Sequence, residues 1–523
     1  MSVGTAVSGV PRGPGAHATR ARARSLLGDP ALVAVAALTV LAAVLRFYRL
    51  GHQGFWFDEA NTSLEVHYSV GQMLTLLKHY ESTPPLYYLV AWVWARIFGY
   101  GEAALRSLSA VCGAVTVPLV YAAAAKLVSK RAGVIVAALT ATSSLLIWYS
   151  QEARAYQLSV LLSAVTLLAF AYAREEPTPA WIAVWVISSA LALATEYYAL
   201  VIVVPEALWL LYLHRRRRDV YVGLAALAIC CAPLLWFAIS QNATGHASWI
   251  AHSPLGRRTA QIFPQFASGF SAPGYAVLEP LAVALAVFGL VLLATRALPD
   301  ERRGGLIAAS LVVAGLVLNF ILIAGGIDDL LTRNVLSLWI PAAVAVAAGF
   351  AASRARVAGA TAAVALCLIG ASSAIGIATN RSFQRPDWRG VGHLLGARPA
   401  AGSPGRAILI QHYRDLAPLS LYAPGLRFLH RAGAPVTELD VISFTSPRSA
   451  GFCWWGSACN LWPSMMQDSY PIPGFRVAWR RSSDQFTVLH MVAAGGPVRL
   501  TPSAVARALR TTTLREDDLL LQR

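Results

Sequence analysis

Roughly eleven stretches of this sequence are apolar for long enough to cross a bilayer, and nothing else in it constrains the fold as strongly. A span needs about 20 mostly apolar residues, because in hydrocarbon each backbone N–H and C=O must find its partner inside the helix. The stretches lie at about 30–47, 105–126, 132–149, 155–173, 180–195, 197–213, 219–240, 275–296, 304–325, 334–352 and 356–378, with 11–13 spans as the range. Only 13% of residues are charged, about half the soluble norm of roughly a quarter. The expected fold class is therefore a polytopic α-helical membrane protein. Residues 1–28, rich in Ala, Gly and Arg and without a cleavable signal's apolar core, are expected to be a disordered cytoplasmic tail.

The formal charge of +17 does not point to nucleic acid, because the arginines cluster at the ends of apolar runs. Placing the tail inside puts Lys126/Lys130/Arg131, Arg174, Arg215 to Arg218, Arg296/Arg302/Arg303 and Arg354/Arg356 on the same side, as basic cytoplasmic loops facing anionic lipid require. Residues 85–98 are nearly apolar enough to span. Counting them as a span inverts the next five loops and exports the Arg215 to Arg218 cluster. At about 14 residues, with Tyr and Trp suited to the headgroup level, they are expected to form a juxtamembrane helix on the outer face.

The outer side then holds loops 48–104, 150–154, a break at Glu196, 241–274 and 326–333, and everything after about 379. Residues 29–380 form the membrane domain. Residues 385–523 change composition, with strand-like runs at 407–410 and 486–489 and short helices around 387–396 and 501–510, so a small extracytoplasmic α/β domain is expected. Cys112, Cys230, Cys231 and Cys367 lie in apolar runs and read as inert core residues. Cys453 and Cys459 form a disulfide if their region is extracytoplasmic; a pair of free thiols is the alternative.

Ionisable residues gather on the outer side. Asp58 and Glu59 follow Phe55, Trp56 and Phe57, and aromatic rings lower the local dielectric in a way that suits a carboxylate to accepting a proton. Asp58 as the N-cap of a helix over 59–68 is the structural alternative. Glu81 precedes Pro84-Pro85, which can start the juxtamembrane helix; Tyr87 and Tyr88 face the outer cavity with Glu81 or anchor at the interface. Gln151, Glu152 and Arg154 lie in the short loop between two spans, with Tyr156 at the start of the second; ionisable groups at that depth are costly and default to function, and a self-neutralising Glu152–Arg154 pair is the bland reading. Glu196 interrupts an apolar stretch, as an outer turn or facing a wet cavity. Glu206, deeper in the next span, needs a partner. His246, His252, Arg257 and Arg258 lie in loop 241–274, where arginine suits phosphate; a solvated basic loop is the alternative. Arg333 begins a span at its outer end, able to snorkel to headgroups or bind a lipid phosphate. No P-loop, Rossmann fingerprint, HExxH or GxSxG is present.

Taken in order, Phe57-Asp58-Glu59-Ala60, Pro84-Pro85-Leu86-Tyr87-Tyr88, Phe98-Gly99 through Leu105-Arg106-Ser107-Leu108-Ser109, Ser150-Gln151-Glu152-Ala153-Arg154-Ala155-Tyr156, Arg333 and Pro341 resemble the GT-C class of membrane glycosyltransferases. The branch is that of protein O-mannosyltransferases, lipid A aminoarabinose transferases and family 39 glycosyltransferases. Pro386-Asp387-Trp388-Arg389-Gly390 followed by a soluble domain is similar to relatives there. The resemblance implies sugar transfer from a polyprenyl-phosphate donor to a glycan, lipid or protein acceptor outside the cytoplasmic membrane. It makes Asp58 the general base, with Glu59 supporting it, lines the cavity with Glu152 and Arg154, and puts Arg333 on the donor phosphate. Mannose or a pentose is the expected sugar. Some members use a divalent metal, for which Asp58 and Glu152 are the candidate ligands, though no spacing demands one. The chain departs from the pattern in having Glu196 where many relatives have His, and Ser82-Thr83 where His or Lys is common. A transporter or flippase of lipid-linked sugars is the alternative function; it predicts similar halves and Gly/Pro-broken helices at mid-membrane, and no repeat is evident.

Overall fold

A computed structural model of the chain describes residues 28–245, 248–410, 413–444, 472–509 and 518–523. The expectations for the tail 1–28, His246, Cys453 and Cys459 lie outside the described residues, apart from residue 28.

Each predicted span contains helix. The membrane helices are α1 (Pro30–Phe47), α5 (Glu102–Leu127), α6 (Lys130–Thr142), α7 (Ser144–Ser150), α8 (Tyr156–Glu175), α9 (Pro179–Thr195), α10 (Leu200–Leu213), α11 (Arg218–Asn242), α13 (Tyr275–Thr295), α14 (Pro299–Ala324), α15 (Trp339–Phe350) and α16 (Arg356–Thr379). Among the described residues, seven stretches are long and apolar enough to cross a membrane, eight if α6 and α7 are one span bent by 57°. The other three predicted spans, α9, α10 and α15, are shorter apolar helices. Loop 48–104 carries α2 (Phe57–Glu65), α3 (Val70–Tyr80) and α4 (Leu86–Phe98), and loop 241–274 carries α12 (Leu255–Ser268). With 13 residues, α4 rises only about 20 Å, well short of a hydrocarbon core of about 30 Å.

Burial sorts the helices. Helix α15 is apolar all round and buried at every position except Ala342, which makes it the centre of the bundle. It reaches that position because Gly349 faces Gly289 of α13, where a Cβ would lie 1.7 Å from the Gly289 carbonyl oxygen. Helix α11 is peripheral, with Val222, Ile229 and Trp236 exposed along one face. Its Cys230 is exposed too, and Cys231 and Cys367 are half-buried, so only Cys112 fits the expectation of a core cysteine.

The break between α6 and α7 has an identifiable cause. A helix end leaves its last carbonyls without partners. Here the fully buried Arg46 of α1 donates to the carbonyl oxygens of Thr140 (2.9 Å) and Ala141 (3.1 Å), and to Ser150 Oγ (3.0 Å). Ser143 Oγ accepts from Leu146 N at 3.3 Å and starts α7. Gly113 leaves room for this knot, since a Cβ there would lie 2.3 Å from Ser150 Oγ and 2.5 Å from Arg46 Nε. Residues 151–155 then link α7 to α8.

The C-terminal region is the expected α/β unit. Strands β1 (Arg406–Leu409), β2 (Arg427–Phe428), β4 (Glu438–Phe444), β5 (Phe475–Ser483), β6 (Phe486–Ala493) and β8 (Leu519–Gln522) form a mixed sheet in the order β2-β8-β1-β4-β6-β5, and β3 (Ala434–Val436) pairs with β7 (Val498–Leu500). The strands β1 and β4 are parallel, with Ala407 opposite Leu439; the other pairings are antiparallel. Helices α17 (Trp388–Leu395), α18 (Leu416–Ser420) and α19 (Pro502–Ala508) accompany them, with α17 and α19 where the sequence predicts. Asp387 caps α17 by accepting from Gly390 N at 3.0 Å.

Candidate active site

A cavity of about 1290 Å³ opens between loop 48–104, the helix ends on the same side of the bundle and the C-terminal region. Its wall includes Asp58, Glu65, Glu81, Arg154, Tyr156, Glu196 and Arg333, with Trp388 and Arg414 closing it from the C-terminal side.

At its centre Arg333 Nη1 lies 3.1 Å from Asp58 Oδ2. The Arg333 guanidinium carbon sits 5.8 Å from the ring centre of Tyr156 and 5.7 Å from that of Trp249. Its Nε–H is buried and has no hydrogen-bond partner. Asp58 lies in the first turn of α2, whose N-cap is Trp56. The predicted cap role for Asp58 is therefore corrected: the helix begins two residues earlier, at Phe57, and the Asp58 carboxylate turns to Arg333.

Three further arginines hold the wall. All five Arg106 N–H groups are used: Nε and Nη2 grip Glu59 at 2.7 and 2.5 Å, and the rest donate to the carbonyls of Leu50, Gln53 and Gly54. Glu59 Oε1 also accepts from Ala153 N at 2.9 Å, so one carboxylate joins α2, α5 and the second outer loop. Burial pushes the Glu59 pKa up, but the attraction and hydrogen bonds of Arg106 outweigh it and hold the carboxyl below its ordinary value. Arg154 grips Glu81 with Nη1 at 2.8 Å and Nη2 at 3.0 Å, and donates to Tyr88 Oη at 2.7 Å. Arg385, just after the last span, donates to Glu152 Oε2 at 3.2 Å and to the Trp148 carbonyl at 3.1 Å, stacking over the Trp148 ring at 4.1 Å. Glu152 and Arg154 thus do not neutralise each other.

Residues 82–237 match the family model described as dolichyl-phosphate-mannose-protein mannosyltransferase. Apo ArnT from Cupriavidus metallidurans has a TM-score of 0.53 to the chain at 12% identity, covering 87% of this chain and 97% of that one. ArnT bound to undecaprenyl phosphate has a TM-score of 0.50, with the same identity and coverage. The chain has the GT-C glycosyltransferase fold. The arabinofuranosyltransferase AftD from Mycobacteria scores 0.47 at 16% identity, over 90% of this chain and 40% of that one. No curated protein sequence matches.

Within the GT-C fold the predicted site residues separate. Asp58, Glu81, Arg154, Tyr156, Glu196 and Arg333 line the cavity. Glu59 and Glu152 lie behind its wall in ion pairs. Tyr87 and Tyr88, at 1% and 0% exposure, are neither cavity lining nor interfacial anchors. Gln151 donates to the carbonyls of Leu45, Arg46 and Tyr48 and so caps the end of α1. Arg257 is exposed and off the cavity, whereas its neighbour Arg258 grips Asp328 at 2.8 Å through both terminal nitrogens. Glu206 has its partner in Trp185, whose Nε1 donates at 2.9 Å.

Sequence reasoning passed over Glu65, which lines the cavity with Oε2 buried and without a partner; burial and nearby Glu81 push its pKa well above the ordinary range. It also passed over Gln241, which accepts from Tyr197 Oη (2.9 Å) and donates to the carbonyls of Leu77 and Thr83. Asp58 and Glu152 fit a divalent ion poorly, because each carries an arginine. Among the described residues, the one cluster of three ligand atoms with ion-binding spacing is Glu438, Asp440 and His490 in the sheet, with Arg406 3.4 Å from Asp440.

Burial raises the pKa of Glu152 and of Glu196 from 4.5 to about 7. The folded chain then holds protons that the unfolded chain releases above pH 4.5, so stability present below 4.5 is lost as pH rises through about 7. Carboxyls held low, such as Glu59, titrate below this window. Purified protein is expected to melt at a higher temperature near pH 5 than near pH 7.5, and Glu196→Gln to narrow the difference. A melting temperature that rises across this interval contradicts the assignment.

Proposed function

We propose that this glycosyltransferase moves a sugar from a polyprenyl-phosphate donor to an acceptor hydroxyl on the extracytoplasmic face of the membrane. The observation that carries the reading is the Asp58–Arg333 pair, which puts a carboxylate and a guanidinium with an unused Nε–H in one cavity. The likeness to a structure that holds undecaprenyl phosphate supports the choice of donor.

In this reading the acceptor oxygen attacks the anomeric carbon while its proton passes to the Asp58 carboxylate. The bond between that carbon and the phosphate oxygen breaks, and polyprenyl phosphate leaves with the electron pair. Arg333 hydrogen-bonds the phosphate and offsets its growing charge, the term that contributes most when charge develops away from water. Arg154, held by Glu81, and Arg385, held by Glu152, fix the cavity floor before substrate arrives. No step passes through a metal. The prenyl chain stays in the bilayer, and the C-terminal domain covers the acceptor side.

Arg333→Gln removes a charged donor of the kind whose loss lowers affinity by about ten- to a hundredfold. Binding of polyprenyl phosphate to purified protein, wild-type against Arg333→Gln, tests the donor half of the reading; equal affinities contradict it.

A further inference from the structure

A second cavity, of about 1210 Å³, lies at the other end of the bundle. Helix α8 connects the two: Tyr156 at its start lines the first cavity and Glu175 at its end lines the second, a rise of about 30 Å. Four arginines from three separate segments meet here: Arg174 of α8, Arg302 and Arg303 of α14, and Arg354 before α16. The rest of the wall is largely apolar and belongs to α10 and α14, with Leu208 and Tyr212 exposed at 61% and 77%.

The acid at this site does not balance the arginines. Glu175 accepts from Arg174 Nη2 at 2.9 Å and is also held by Lys126. Glu301, in the first turn of α14, is taken up by Ser353 N and Oγ. The Nε atoms of Arg174 and Arg302 are buried and have no hydrogen-bond partner. Basic loops at this end serve topology whatever they bind. Arg215 and Arg216 are exposed and lie off this groove, whereas these four converge on one concave wall with an apolar flank.

We propose that this groove binds one anionic phospholipid of the surrounding bilayer, its phosphate among Arg174, Arg302, Arg303 and Arg354 and its acyl chains along Leu208 and Tyr212. A zwitterionic headgroup is a poorer fit, because it returns a cation to a site with unbalanced positive charge. Each arginine near such a phosphate contributes enough that losing two lowers retention about ten- to thirtyfold.

The test is native mass spectrometry of the full chain after incubation with equal amounts of phosphatidylglycerol and phosphatidylcholine. The wild type is expected to retain one phosphatidylglycerol. The Arg302→Gln/Arg303→Gln variant is expected to lose it, and the exposed pair Arg215→Gln/Arg216→Gln to keep it. If the double variant fails to fold, Arg354→Gln, a change at an exposed residue, serves in its place and is expected to lower retention about fivefold. Equal retention of the two lipids, equal loss from the groove and control variants, or full displacement by inorganic phosphate overturns the proposal.

Discussion

Asp58→Asn is expected to lower transfer by about 10²- to 10⁴-fold, the contribution of a positioned general base. The substitution keeps the shape and size of the side chain but removes its capacity to take the acceptor proton. It leaves Arg333 in the cavity, so polyprenyl phosphate should still bind. Asp58 lies in the first turn of α2 and its carboxylate faces Arg333 across the cavity, so expression and melting temperature should change little. A steady-state assay with labelled donor reads the rate, and a binding assay on the same preparation separates chemistry from affinity. Full activity in this variant removes the general-base role.

Glu59→Leu is expected to fail differently. It leaves the Arg106 guanidinium, at 1% exposure, without its counter-charge, and removing one partner of a buried pair destabilises by about 3–5 kcal/mol. The loss appears as a lower melting temperature and a poor yield of monodisperse protein. Arg106→Leu should behave alike, and the double replacement Glu59→Leu/Arg106→Leu should cost less than the two single changes added together. A Glu59→Leu protein that melts like the wild type yet loses turnover would return Glu59 to the catalytic group.

The two predictions divide an acidic pair that the sequence presents as a unit. Asp58 and Glu59 are adjacent, but on a helix adjacent residues point about 100° apart, so one carboxylate meets the cavity and the other meets α5. The membrane spans were legible because hydropathy is a local property. The grouping of Asp58, Glu81, Glu152, Glu196 and Arg333 at one end of the bundle followed from counting basic loops. Their partners were not legible, because the pairings are long-range: Arg154 to Glu81 across 73 positions, Arg385 to Glu152 across 233, and Arg333 to Asp58 across 275. Sequence neighbours mislead at Glu152–Arg154 for the same reason. Arg46 and Arg106 did leave a signal, a lone charge within an apolar run, which defaults to a paired or functional role. Arg385 left none, since it stands in a polar stretch where another arginine is unremarkable. Arg257 and Arg258 show the limit of residue type as evidence: two equal arginines, one exposed and one bound to Asp328.

The central claim is that this cavity breaks a sugar–phosphate bond instead of carrying an intact lipid-linked sugar across the bilayer. Purified protein in vesicles, given a polyprenyl-phosphate sugar labelled in both sugar and phosphate, tests it most directly. Release of polyprenyl phosphate matched one for one by sugar on the acceptor is expected, with both products falling together by about 10²- to 10⁴-fold in Asp58→Asn. Intact donor appearing on the opposite leaflet, with no polyprenyl phosphate released, would contradict it.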